Sequence, residues 1–151
     1  MDARSQLVAA LGDAMQRYQR SVQAYDDAVG RALDLGPADL RCLDWLVDGP
    51  KTAGTLATAT GLRPAATTAL IDRLEARGLV ERVRDESDRR RVLVRMTDEG
   101  SRSTYAMYAP LVAEGQELFD GVTDAQLRVM AGLLERMREM TERHAERLRT
   151  T

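Results

Sequence analysis

Along the N-terminal part of the chain apolar positions recur at steps of three and four: Leu7, Leu11, Met15, Tyr18, Val22, Tyr25, Val29 and Leu33. That spacing draws one stripe down a helix face and predicts a first helix over residues 5–33, about 43 Å long at ~1.5 Å per residue. Gly36-Pro37 ends it and opens a second helix, since proline suits a first helical turn. Leu40, Leu43, Leu46 and Val47 give that helix a buried face, and Asp48-Gly49-Pro50 closes it. A third helix is predicted from an N-cap at Thr52 to just before Gly61, with Leu56, Ala57 and Leu62 as its apolar positions. A fourth runs from Arg63-Pro64 to Gly78, with Thr67, Leu70, Ile71 and Leu74 facing inward. Arg77 suits the C-terminal end of its dipole, and Gly78 suits a left-handed residue after the last turn.

The period then falls from 3.6 to 2. Residues 79–84 and 92–96 read as two strands joined by a polar, charge-rich tip from Asp85 to Arg91. Thr97-Asp98-Glu99 caps a fifth helix with the acidic first turn that a helix dipole favours; Tyr105, Tyr108, Val112 and Phe119 mark its apolar face, and Pro110 is a kink candidate. Thr123-Asp124-Ala125-Gln126 has the form of a capping box. It opens a last helix on which Leu127, Met130, Leu134, Met137, Thr141, His144 and Leu148 approach a heptad seam.

The composition, 44% apolar and 30% charged in 151 residues, is that of a globular chain with a core of its own. The net charge of −2 argues by itself against a nucleic-acid binder, but its distribution argues the other way. Residues 63–95 hold nine arginines against six acidic residues, a basic segment in an acidic frame. The single cysteine, Cys42, excludes an intrachain disulfide, and its apolar neighbours Leu43 and Leu46 predict a buried, inert thiol. His144 is the only histidine and the chain has no cysteine cluster to join it, so no metal site is predicted and no cofactor is implied. There is no serine elbow or phosphate loop, which excludes the common hydrolase and nucleotidase patterns. The N-terminus lacks an apolar secretory core and no run reaches 18 apolar residues, so no membrane association and a cytoplasmic location are expected.

Two short helices joined at Gly61 and followed by an arginine-tipped hairpin form a winged helix-turn-helix. In this motif the second helix enters the major groove and the wing tip reaches a neighbouring minor groove. The run Asp72-Arg73-Leu74-Glu75-Ala76-Arg77-Gly78-Leu79-Val80-Glu81-Arg82 resembles the end of the recognition helix and first wing strand of the MarR (multiple antibiotic resistance regulator) family. Asp85-Glu86-Ser87-Asp88-Arg89-Arg90-Arg91 resembles that family's wing, and Met96-Thr97-Asp98-Glu99-Gly100 its closing Leu-Thr-x-x-Gly. The resemblance implies a mainly α fold with a small β-hairpin. It implies an N-terminal dimerisation helix (1–35), a winged helix-turn-helix domain (36–98) and C-terminal dimerisation helices (99–151).

The resemblance also implies roles. Arg90 looks like the arginine that enters the minor groove, and Asp88 like the ion-pair partner that holds its guanidinium. Arg89 and Arg91 complete the basic tip. Thr68 matches a groove-facing threonine, while Arg73, beside Asp72, either contacts phosphate or ties the helix to the wing. The sequence departs from the family where Arg63 and Ala69 stand in place of a serine or threonine and an arginine. Base readout would then rest chiefly on Arg63, Thr67 and Thr68, with backbone and minor-groove contacts supplying most of the affinity. The function expected is a sequence-specific repressor that binds a pseudo-palindromic operator in double-stranded DNA as a homodimer and leaves it when a small effector, aromatic or anionic, binds. Tyr18, Trp45 and Tyr105 are the foremost candidates for lining the effector site, with Tyr25 and Tyr108 behind them. A winged-helix interaction module that binds no DNA is the alternative, favoured by the acidic total charge and disfavoured by the arginine tip.

Overall fold

In a computed structural model that describes residues 2–149, six α-helices and three short strands follow one another. They are α1 (Ala3–Leu33), α2 (Pro37–Val47), β1 (Lys51–Thr52), α3 (Ala53–Thr60), α4 (Pro64–Ala76), β2 (Val80–Arg84), β3 (Val92–Met96), α5 (Asp98–Glu117) and α6 (Asp124–Arg149). Tertiary contacts gather residues up to Tyr108 into one unit and those from Ala109 onward into another, a division that falls inside α5.

The core of the first unit is aliphatic. Leu43 and Leu46 of α2, Leu56 of α3, Leu70, Ile71 and Leu74 of α4, and Val80 and Val94 of the sheet pack together. Each buried leucine of this kind contributes roughly 1.5–3 kcal/mol relative to exposure. Cys42 is wholly buried among them, as its neighbours imply. Burial, with the nearby Asp39 carboxylate adding to it, pushes the thiol up to about 11, so it stays protonated and unreactive at neutral pH.

The sheet corrects the two-stranded expectation. It is three-stranded and antiparallel in the order β1-β3-β2, with Lys51 opposite Val94 and Thr52 opposite Leu93. Two residues carry no readable period, so β1 was invisible in the sequence; only the free edge of β3 gives it a partner. Thr52 nevertheless caps α3 as predicted, accepting from the Thr55 amide at 3.1 Å.

Turns form where the sequence places them. Gly61 and Gly78 are left-handed, with φ of +71° and +70°. Thr97 does double duty: its hydroxyl accepts from the Gly100 amide at 3.0 Å, capping α5, and donates to the Gly78 carbonyl at 2.6 Å. The end of the wing is thereby fastened to the end of α4.

In the second unit the predicted capping box closes: the Gln126 side chain accepts from the Thr123 amide at 2.9 Å, and the Gln126 amide donates to the Thr123 hydroxyl at 3.3 Å. Arg138 spans Glu135 and Glu142 along α6, whose described residues include none that is buried.

Candidate functional site

The helix-turn-helix is held in place by charged ties. Asp39, 5% exposed, accepts from the Gly36 amide at 2.9 Å and from Arg73 of α4 at 2.5 Å, fixing α4 against the start of α2. Removing Arg73 would leave the buried Asp39 carboxylate without its counter-charge, which is destabilising. Arg73 thus ties α4 to α2, a third role beside the two the sequence left open. Arg77 reaches back to the C-terminus of α1 and donates to the carbonyls of Leu33 at 2.6 Å and Asp34 at 2.5 Å. It caps α1 rather than its own helix.

The wing is rooted in α4. Arg82 of β2 donates to Asp72 at 2.5 Å and pairs with Glu75, whose other oxygen accepts from the Arg82 amide at 3.1 Å. The two carboxylates raise the Arg82 pKa further, chiefly through the Asp72 hydrogen bond. Asp72 therefore fixes the wing to the recognition helix while its side chain stays exposed. Across the sheet, Glu81 and Arg95 face each other in register and pair at 2.7 Å.

The tip is built from two aspartate-stabilised turns. Asp85 accepts from the Ser87 amide at 2.8 Å and the Ser87 hydroxyl at 2.6 Å, which, with Arg91 nearby, holds its pKa below the usual carboxylate value. Asp88 accepts from the backbone amide of Arg90 at 3.0 Å. The expected Asp88–Arg90 ion pair does not form. Asp88 shapes the backbone that carries Arg90, and among the described residues the cross-tip ion pair is Arg91–Asp85 at 3.5 Å. Arg89, Arg90 and Arg91 are all exposed.

The exposed residues of α4 are Pro64, Ala65, Ala66, Thr68, Ala69, Asp72, Arg73 and Ala76, with Arg63 at the N-cap. Thr68 is among them, its hydroxyl donating to the Pro64 carbonyl at 3.1 Å. Thr67 is not. It is 1% exposed and donates to the Arg63 carbonyl at 3.1 Å, which removes it from the base-reading residues. Its inward direction follows from the same period that buries Leu70, Ile71 and Leu74.

The same unit contains a cavity of about 1090 Å³ lined by α1, α2, the end of β3 and α5. Tyr105 lines it, as expected, and so does Tyr108. Tyr18 and Trp45 are not among its lining residues and are exposed, so the one tryptophan is no cavity wall. Asp26 and Asp44 also line it and were missed; nothing in their spacing marks two aspartates on different helices as neighbours.

Comparison with known proteins decides the family. A model of the MarR family matches residues 33–91. A helix-turn-helix-type transcriptional regulator of Bacillus subtilis, YcgE, is 31% identical over 149 residues, which cover 98% of this chain and 97% of that protein. The chain belongs to the MarR family. The helix-turn-helix-type transcriptional repressor NicR of Pseudomonas putida is 34% identical over 94 residues, 62% of this chain and 58% of that one. A solved structure of a MarR family protein from Bacillus stearothermophilus superimposes with a TM-score of 0.67 at 26% identity, covering 93% of this chain and 99% of that one. With this family, this fold and an exposed arginine tip rooted in α4, the protein is a DNA-binding transcriptional regulator. Among the described residues no helix is long and apolar enough to cross a membrane.

Proposed function

We propose that this MarR-family regulator is a homodimeric repressor in the cytoplasm that binds a pseudo-palindromic operator and releases it when a small molecule occupies the cavity. The observation that carries the DNA-binding mode is the exposed Arg89-Arg90-Arg91 tip on a wing pinned to α4 through Arg82. Arg90 enters the minor groove, where guanidinium groups meet concentrated negative potential. Arg63 and Thr68 meet the major groove. The amides of the first turn of α4, which lack a side-chain cap, are placed for a phosphate. Ala65, Ala66 and Ala69 offer methyl groups and no hydrogen bonds, so readout is sparse and backbone contacts dominate.

Dimerisation is supported by apolar surface. Leu7 and Leu11 of α1 are 72% and 49% exposed, and Val129, Met130, Leu133 and Leu134 of α6 are also exposed. A symmetric pair of chains buries such faces and sets two recognition helices about one DNA turn apart, ~34 Å. Repression is the activity named for NicR, and it is carried here as part of the proposal.

The test is a gel-shift titration on the promoter of the protein's own gene at several salt concentrations. Affinity should fall steeply with salt, and Arg90→Ala should weaken binding at least tenfold. Equal affinity of the variant, or salt-independent binding, overturns the assignment.

A further inference from the structure

Four aspartates, Asp26, Asp27, Asp34 and Asp44, line the cavity against two arginines, Arg31 and Arg41. Both arginines are exposed, as are Asp27, Asp34 and Asp44, so the acidic excess of four to two decides the sign of the wall. Asp26 is half-buried, and its partner is neutral: the Tyr108 hydroxyl donates to it at 2.8 Å. Among the described residues neither Asp26 nor Asp44 forms a salt bridge with an Arg or Lys. Burial raises the Asp44 pKa, and the nearby carboxylates of Asp26 and Asp48 raise it further. Asp26 and Asp44 therefore repel each other with no ion pair to offset it.

The surrounding wall suits an organic body. Val22, Leu40, Val47 and Met96 supply apolar surface. Tyr108 is held in place from both sides. Its hydroxyl is committed to Asp26, and its ring lies 5.7 Å from that of Tyr25 at an interplanar angle of 56°. Tyr25 is itself anchored, donating to the Met107 carbonyl at 2.6 Å. A fixed aromatic ring beside carboxylates that form no ion pair attracts a cation through both charge and ring quadrupole. An aromatic acid in the same place would meet two carboxylates of like sign.

We propose that the cavity formed by α1, α2 and α5 is a receptor for amphipathic organic cations, with Asp26 and Asp44 facing the charge and Tyr108 flanking it. Such a ligand differs in charge from the anionic form of the aromatic or anionic effector expected from the sequence, and the proposal rests on the reading that the cavity is an effector site.

Two probes of one shape and opposite charge test it: tetraphenylphosphonium and tetraphenylborate, titrated calorimetrically into the full chain. The phosphonium should bind at least tenfold more tightly. Asp26→Asn with Asp44→Asn should remove that preference, while a circular dichroism melt confirms that the variant folds; Asp44→Asn alone carries the test if the pair does not fold. Equal or tighter binding of the borate, or a variant that keeps its full affinity for the phosphonium, overturns the proposal. The same cation is then added to the gel shift. Cation binding without loss of the DNA complex upholds the cation site and overturns ligand-controlled release. DNA binding itself is read in the lanes without cation.

Discussion

Adding a methyl group at Gly100 would drive it into the carbonyl of Leu79, with the Leu79 carbonyl carbon 2.9 Å and Met96 Cγ 3.0 Å away. The oxygen cannot retreat, because it accepts from the Thr97 amide at 3.1 Å. The closing Thr-x-x-Gly of the family resemblance is therefore two physical demands: a hydroxyl that joins α5 to Gly78, and a residue without Cβ where helix and wing backbone touch. Gly100→Ala should cost about 1–3 kcal/mol, the usual penalty of overpacking, read as a lower midpoint in urea. Gly54→Ala is the counter-case. Its nearest neighbour would be Thr52 Oγ1 at 3.8 Å, so the substitution should be neutral or stabilising by up to about 1 kcal/mol through chain entropy. Equal effects at the two sites would contradict this account.

At the scale of elements, α4 separates what its period buries from what it presents. Thr67 and Thr68 are adjacent and chemically identical, yet one is sealed in the core and the other lies on the exposed face. Thr68→Ala should lower operator affinity severalfold and relax selectivity at one position of each half-site. Thr67→Val, which keeps the volume and loses only a hydrogen bond to Arg63, should leave affinity within about twofold while shifting stability by ~1 kcal/mol. Competition gel shifts against single-base operator variants distinguish the two. The wing obeys a similar division. Arg82 has its charge committed to Asp72 and Glu75 and serves as an anchor, whereas Arg89 and Arg90 project from a turn that Asp88 shapes through a backbone amide.

For the whole molecule, the exposed leucines of α1 and the unburied length of α6 depart from an ordinary globular surface. Isolated exposed apolar residues need no explanation; an ordered series along a helix does. Leu7→Glu with Leu11→Glu should convert the protein from dimer to monomer in sedimentation velocity at micromolar concentration, and should weaken operator binding far more than either recognition helix accounts for. A wild-type chain already monomeric under those conditions would remove the basis for the paired half-sites.

What the sequence determined by itself was whatever local physics controls. Helix faces followed from the 3.6 period, turns from the left-handed glycines at 61 and 78, caps from Thr52, Thr97 and Thr123, and the wing from the change of period and its arginine-rich tip. The family was legible there too, because its motifs are local runs in one order. Tertiary structure decided everything that joins residues distant in the chain. It supplied β1 a partner in β3, gave Arg73 to Asp39, Arg77 to the end of α1 and Arg82 to Asp72. It turned Asp88 toward a backbone amide, and it brought Asp26, Asp44 and Tyr108 around one cavity. The physical reason is range. Backbone propensity and capping act within a turn or two of helix, whereas a charge finds its partner, and a cavity its walls, only after the core has fixed which elements lie side by side.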